Sequence, residues 1–168
     1  MVDLTSRPSA SETHGEEIAR TCTFLRVVLL TFSLGQLLIM CGLYFLKDWL
    51  RRPTGGAIIS LLGLLLFPVV QDVGWKVWRS RRGVDRANGD IGLLIRVFSG
   101  KTLVIATLLE VAAVISLVAY YFERNILDIV LLAMTSAFII WLIPSEMRLA
   151  SWVDDILEEK RRADEARF

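Results

Sequence analysis

Residues 103–122 read "LVIATLLEVAAVISLVAYYF", an apolar run with one carboxylate, Glu110, near its middle. An α-helix rises 1.5 Å per residue, so a stretch of this length reaches about 30 Å, the thickness of the hydrocarbon core of a bilayer. Backbone groups in lipid must be hydrogen-bonded within the segment, and a helix meets that need. The stretch therefore predicts a transmembrane helix with an ionisable group at its centre.

The rest of the chain separates apolar from charged residues in the same way. Of 168 residues, 54% are hydrophobic and 22% charged, and the charges crowd between the apolar stretches. We predict an all-α, integral membrane four-helix bundle within residues 24–144. Its helices span about residues 25–46, 56–78, 101–122 and 126–144. Residues 1–23 are predicted to be a disordered cytoplasmic tail, and residues 145–168 a cytoplasmic amphipathic helix.

Basic residues are unevenly distributed around the four predicted spans. Lys47, Arg51, Arg52 and Arg124 lie on one side, which leaves 15 of the 19 Lys and Arg residues for the termini and the central loop. Lys and Arg are enriched on the cytoplasmic side of membranes. The chain is therefore predicted to be a multi-pass protein of the inner (plasma) membrane with both termini in the cytoplasm.

The two halves of the chain resemble each other. Each begins with a long apolar segment and continues into a second one that ends in an apolar residue followed by proline, at Phe67–Pro68 and Ile143–Pro144. The likeness suggests two helical hairpins related as a parallel repeat, because both halves start on the same side. Leucine-rich membrane helices also resemble one another by chance, which is the alternative.

The central loop has the composition of a membrane interface. Trp75 and Trp78 stand beside Arg79, Arg81 and Arg82. Tryptophan suits the membrane–water boundary, and arginine clusters favour anionic headgroups. These five side chains are the candidate lipid-headgroup contacts. The alternative is charge that only sets the topology.

The C-terminal segment has apolar residues at helical spacing with charge between them. This pattern predicts an amphipathic helix that lies on the bilayer, packs on the central loop, or pairs with another subunit. A solvated helix without a partner is the remaining interpretation.

Glu110 has a polar counterpart, Gln36, near the centre of the first span. Each of these two spans carries a stripe of small residues that suits close helix packing. The stripes are Thr31, Gly35 and Gly42 in the first span and Ala112, Ser116 and Ala119 in the third. At 100° per residue Glu110 lies about 160° from its stripe and Gln36 about 120° from its own. We predict a Gln36–Glu110 hydrogen bond at mid-bilayer depth. Glu110 is expected to be uncharged at neutral pH, because an unpaired charge there costs several kcal/mol.

Side chains for covalent or metal chemistry are scarce. His14 is the single histidine, and Cys22 and Cys41 lie about 28 Å apart along a helix, too far to share a disulfide or a metal. No glycine-rich nucleotide loop occurs, and the basic loop is explained by the membrane. We expect no enzyme activity, no metal, no cofactor and no nucleic-acid partner. The predicted partners are the lipid bilayer and either further copies of this chain or another membrane subunit.

Two functions fit this composition. In the first, the protein is a non-enzymatic structural or accessory subunit in which Glu110 and Gln36 hold the helices together. In the second, it is a proton-coupled carrier or channel subunit in which Glu110 is the proton site. Transporters usually carry several polar positions and broken helices at the midplane, which favours the first function here.

The sequence also resembles known families. Residues 108–123, "LLEVAAVISLVAYYFE", and residues 143–153, "IPSEMRLASWV", resemble an uncharacterised family of small bacterial four-helix inner-membrane proteins. That resemblance covers the third and fourth spans, and the first loosely, and it implies a fold and a location but no activity. Residues 108–122 are more weakly similar to the proton-carrying helix of rotary ATPase c subunits, which implies Glu110 as the proton-binding carboxyl.

Overall fold

The structure is a computed structural model that describes residues 10–46 and 58–166. Within these ranges the chain forms six helices and no strands. They are α1 (Ala10–Phe45), α2 (Ile58–Arg79), α3 (Arg82–Ala87), α4 (Ile91–Glu123), α5 (Ile126–Trp141) and α6 (Glu146–Glu165). The predicted all-α class is confirmed.

Three described segments are long and apolar enough to cross a membrane: His14–Phe45, Ile58–Ala87 and Ile91–Glu123. The helix α5 has only 16 residues, and a break separates it from α6 with a bend of 67°. Pro144 lies in this break, where its ring and missing N–H oppose a continuous helix. The count is therefore three candidate spans, or four if α5 and α6 together make one, which agrees with a membrane protein.

The first helix begins well before the predicted first span. The sequence predicts a disordered tail over residues 1–23, but α1 starts at Ala10, and Ile18 and Cys22 are buried. Residues 1–9 lie outside the described ranges. The apolar residues of this stretch recur every three or four positions and form a face that becomes stable only when other helices cover it. The backbone of α1 is kinked at His14, and the segment His14–Phe45 has 32 residues. At 1.5 Å per residue this segment is about 48 Å long, far more than a hydrocarbon core of about 30 Å requires.

The helix α4 lies at the centre of the bundle, because α1, α2 and α5 all pack along it. Within the described residues, α1 and α2 each also contact α5 instead of packing along one another. The second predicted hairpin, α4 and α5, is a close pair. Arg124 reverses the chain between them with a left-handed φ of 51°, and the Asn125 side chain caps α5 by accepting from Leu127 N. The connection between α1 and α2 falls in residues 47–57, outside the described ranges.

The two small-residue stripes behave differently. On α4, Ser116 is buried beside Gly63 of α2, where an added Cβ would lie 3.8 Å from Ser116 Oγ. On α1, a Cβ added to Gly35 or Gly42 would meet no described atom within 4 Å. The buried face of α1 instead runs through Leu25, Leu29, Ser33, Gln36 and Met40. Side-chain packing and a polar contact, rather than close backbone approach, attach α1 to the bundle.

The amphipathic helix α6 is covered by its own chain. Its N-terminus is capped by Ser145, whose Oγ accepts from Arg148 N at 3.2 Å. Its buried face consists of Leu149, Ala150 and Val153. That face packs in one cluster with Ile18, Cys22 and Leu25 of α1, Ala87 of α3, and Leu94, Ile95 and Phe98 of α4. Of the arrangements expected for this helix, packing within the chain is the one present.

The proline pairs of the two halves differ in their structural role. Pro68 lies inside α2, which continues to Arg79, whereas Pro144 lies between α5 and α6. The helix α2 therefore continues through its proline, as in the predicted span 56–78, whereas α5 ends before its own. The two halves are not equivalent at this point.

Candidate functional site

The structure brings Gln36 and Glu110 together. Gln36 is 1% exposed, and its Nε2 donates a hydrogen bond to Glu110 Oε2 on α4. Its Oε1 accepts from Ser136 Oγ on α5 at 3.0 Å. One buried amide thus joins α1 to both helices of the α4–α5 pair. We call Gln36, Glu110 and Ser136 the polar clasp.

Small neighbours on α4 let α1 reach Glu110. Ala106 and Ala113 lie about one turn before and after Glu110 on the same face of α4, and both are fully buried. Alanine at these positions leaves room for the facing helix to approach. The amide of Gln36 can therefore contact the carboxyl of Glu110 directly.

Apolar clusters flank the polar clasp along the helix axis. On one side Leu29 packs with Ala106, Leu109 and Ile139. On the other, the buried members are Met40, Ala113, Leu117, Tyr120 and Leu132. Water is excluded from both clusters, so little solvent competes for the hydrogen bonds of Gln36.

Glu110 and Gln36 differ in burial. Glu110 is only half-buried, whereas Gln36 is almost fully enclosed.

A further polar group lies on α1 one turn before Gln36. The buried Ser33 has an Oγ without a hydrogen-bond partner among the described residues. The buried face of α1 therefore carries two polar side chains, Ser33 and Gln36, among apolar ones.

The candidate lipid-headgroup residues differ in their contacts within the protein. Trp75 is exposed, and the guanidinium of Arg79 stacks 4.6 Å over its ring. Arg82 is exposed at the start of α3. These three keep the features expected at a membrane interface.

The other two candidates have partners within the protein. Arg81 Nη2 pairs with Glu159 Oε1 of α6 at 2.7 Å. Trp78 packs its ring edge-on against Phe98, with 5.4 Å between the ring centres, in the cluster that holds α6. Its carbonyl accepts from Lys101 Nζ at 2.9 Å. Trp78 is thus half-buried and packs against the cluster that holds α6. A tryptophan beside basic residues in the sequence fits a membrane interface and a helix junction equally well.

A second polar cluster lies where α2 and α5 begin and α4 ends, and sequence analysis missed it. Glu123 Oε1 accepts from the backbone N–H of Ile59 at 2.7 Å, and its Oε2 accepts from that of Ser60 at 3.0 Å. Ser60 Oγ lies 2.6 Å from Glu123 Oε2 and 2.9 Å from Asp128 Oδ2. We call Ser60, Glu123 and Asp128 the carboxyl cluster.

Each acid of this cluster left a weak signal in the sequence. Glu123 directly follows the apolar run 103–122, where a charged residue is ordinary in a loop between two helices. Asp128 is the only acid in the fourth apolar stretch. Asp128 is 1% exposed. Neither acid has a nearby sequence partner, because Ser60 is more than sixty residues away. Only the fold brings the three side chains together.

An apolar groove of about 530 Å³ opens between α2, α4 and α5. Trp75, Ile105 and Leu109 line it together with Trp141, over whose ring Arg148 stacks at 5.0 Å.

In the described part of the chain, no three His, Cys, Asp or Glu side chains converge to form a metal-binding group. His14 pairs with Glu17 of its own helix, with 3.4 Å between Nδ1 and Oε2.

Comparison of the chain with family models, curated proteins and solved structures finds no match. The resemblances drawn from residues 108–123 and 143–153 therefore stay predictions, and function has to be argued from the geometry.

Proposed function

We propose that the protein is a non-enzymatic, multi-pass inner-membrane protein with a structural or accessory role. The observation that carries this proposal is the buried Gln36, whose amide donates to Glu110 on α4 and accepts from Ser136 on α5. Between lipid-facing helices the hydrophobic effect gives little attraction, so packing and interhelical hydrogen bonds decide which faces meet. A clasp of this kind suits a protein whose function is to hold one arrangement of helices.

The proposed topology has four spans, the last formed by α5 and the residues up to Pro144, and both termini in the cytoplasm. The distribution of the 19 Lys and Arg residues supports it. The lengths of α1 and α4 support it as well, because each exceeds what a hydrocarbon core requires. Residues 18–25 of α1 and 94–98 of α4 pack with α3 and α6 in one cluster, and we place this cluster outside the hydrocarbon core. The bilayer and a second copy or another membrane subunit are the proposed partners.

A proton-coupled carrier or channel subunit is the second candidate. The observation that favours it is the half-burial of Glu110, a residue that stays partly exposed while Gln36 is enclosed. An ionisable group in a membrane helix is a functional candidate by default. Proton exchange between Glu110 and its surroundings is the step that would distinguish a carrier from a structural protein.

Substitution of Glu110 separates the two functions. In the structural protein, Glu110→Gln leaves stability nearly unchanged, because an amide and a neutral acid both accept and donate, and Glu110→Leu lowers it by about 1 kcal/mol. Thr107→Val is the matched control on α4, since the Thr107 hydroxyl bonds to Leu103 O of its own helix at 2.9 Å. Proton flux into vesicles reconstituted with wild type that disappears in Glu110→Gln, with stability intact, would establish the carrier instead.

Cysteine labelling tests the topology. Ile126→Cys and Glu165→Cys, each in a background without Cys41, place an exposed thiol at opposite ends of the described helices. An impermeant reagent added outside intact cells should modify residue 126 and not residue 165. The opposite labelling pattern would reject the proposed orientation.

A further inference from the structure

The carboxyl cluster contains more acceptors than a single hydroxyl can serve. Ser60 Oγ lies within hydrogen-bond distance of Glu123 Oε2 and of Asp128 Oδ2, at 2.6 and 2.9 Å. A serine hydroxyl has one proton to donate, and an ionised carboxylate has none. If both acids were ionised, one of these contacts would bring two lone pairs together in a largely buried site. One additional proton in the cluster allows each of the two contacts to be a separate hydrogen bond.

Both acids lie at a helix N-terminus, Glu123 at the start of α2 and Asp128 in the first turn of α5, so burial and not the helix dipole assigns that proton to Asp128. Glu123 accepts the backbone N–H groups of Ile59 and Ser60 at the start of α2, where unpaired N–H groups and the helix dipole stabilise a negative charge. Asp128 is 1% exposed, and its Oδ1 has no hydrogen-bond partner among the described residues. A buried oxygen without a donor costs less as the carbonyl of an acid than as half of a carboxylate.

We propose that the carboxyl cluster is a proton-binding site in which Asp128 holds a proton at neutral pH. Asp128 Oδ2–H donates to Ser60 Oγ, and Ser60 Oγ–H donates to Glu123 Oε2. The proton lies where α2, α4 and α5 meet, so its loss would place two negative charges on one hydroxyl and detach the start of α2 from the α4–α5 turn. This site is separate from the polar clasp and does not depend on the function proposed above.

Other ionisable groups stand at the same end of the described helices. The helix α1 contributes Tyr44 near its end, α4 contributes Tyr120 and Tyr121, and the turn contributes Arg124, which makes contacts of its own. The described start of α2 adds none. None of these four side chains is a carboxyl, so none of them can contribute a carboxylic-acid carbonyl band.

Infrared spectroscopy of the reconstituted full chain tests the proposal. At pH 7 wild type minus Asp128→Asn should show one carboxylic-acid carbonyl band per chain, sensitive to H/D exchange. The introduced amide would keep a donor toward Ser60, so this variant should fold. The control is Glu110→Gln, which removes the acid of the polar clasp and should leave the Asp128 band in place. An Asp128→Asn difference spectrum with no acid band would overturn the proposal.

A second variant covers the case in which Asp128→Asn does not fold. Ser60→Ala keeps both acids and removes their shared acceptor, so the Asp128 band should move to higher frequency as its hydrogen bond is lost. An unchanged band in Ser60→Ala would overturn the proposal. So would a band that vanishes when sodium chloride replaces choline chloride, because the site would then hold a cation in place of the proton.

Discussion

Replacing Gln36 by leucine should loosen the attachment of α1 to the rest of the bundle. The side chains have similar size, so the buried position stays filled. The change removes the donor to Glu110 and the acceptor for Ser136 at the same time. The clusters that flank the polar clasp between α1 and the α4–α5 pair are apolar, so this variant isolates the clasp.

The expected loss follows from the two contacts. Polar contacts between membrane helices average about 0.6 kcal/mol each and reach about 1.7 kcal/mol. Neither freed group is left fully buried without an alternative: Ser136 can donate to the carbonyls of its own helix, and Glu110 is only half-buried. We therefore expect Gln36→Leu to lower the free energy of unfolding by about 1–2 kcal/mol, a factor of roughly 5–30 in the equilibrium constant.

Reversible unfolding in mixed detergent micelles, titrated with a denaturing detergent, measures this loss. Thr31→Val is the matched control on α1, because the exposed Thr31 hydroxyl bonds to Val27 O of its own helix at 2.8 Å. It should change stability by less than about 0.5 kcal/mol. In the double variant Gln36→Leu/Ser136→Ala, the serine substitution should add little. If Gln36→Leu proves no less stable than Thr31→Val, the clasp does not hold the helices and the reasoning fails.

Three further predictions concern other parts of the chain. Truncation after Ser145 should raise amide hydrogen exchange in the first turns of α1, because α6 covers them; unchanged exchange would contradict that packing. Gly35→Ala and Gly42→Ala should each raise the free energy of unfolding by about 0.5–1 kcal/mol, since alanine favours helix and the added Cβ meets no described atom; a loss of stability or of oligomer size would reveal a contact with another chain. Lys101→Met should speed exchange at the end of α2, where Lys101 Nζ donates to Ser80 O at 2.6 Å, and protection equal to wild type would rule out this cap.

Helical periodicity was sufficient to propose Gln36 and Glu110 as partners. Each is a polar group near the centre of an apolar helix and lies away from a small-residue stripe, and the two side chains are in contact in the structure. Ser136 could not be assigned to the same site, because a serine in an apolar helix is usually satisfied by its own backbone. The depth of the pair in a bilayer and the protonation of Glu110 stay predictions.

Other features were not predicted because the deciding partner is distant in sequence. The segment 10–23 is polar on average, and its few apolar residues become a buried face only when α6 and the start of α4 lie over them. Trp78 has the local signature of an interface, and the structure adds a ring contact with Phe98 that leaves it half-buried. Composition reports a residue's neighbours along the chain, and burial depends on its neighbours in space.

The sequence by itself determined that the chain is helical and that several of its helices are long and apolar enough to cross a membrane. Hydrogen bonds within a helix and the apolar surface of its side chains are local properties, readable within about twenty residues. Tertiary structure alone decided that α4 is central, that Gln36 joins three helices, and that Ser60, Glu123 and Asp128 meet. The hydrogen bonds of Gln36 and of Ser60 join residues more than sixty positions apart, and helix packing, which no local pattern encodes, sets them.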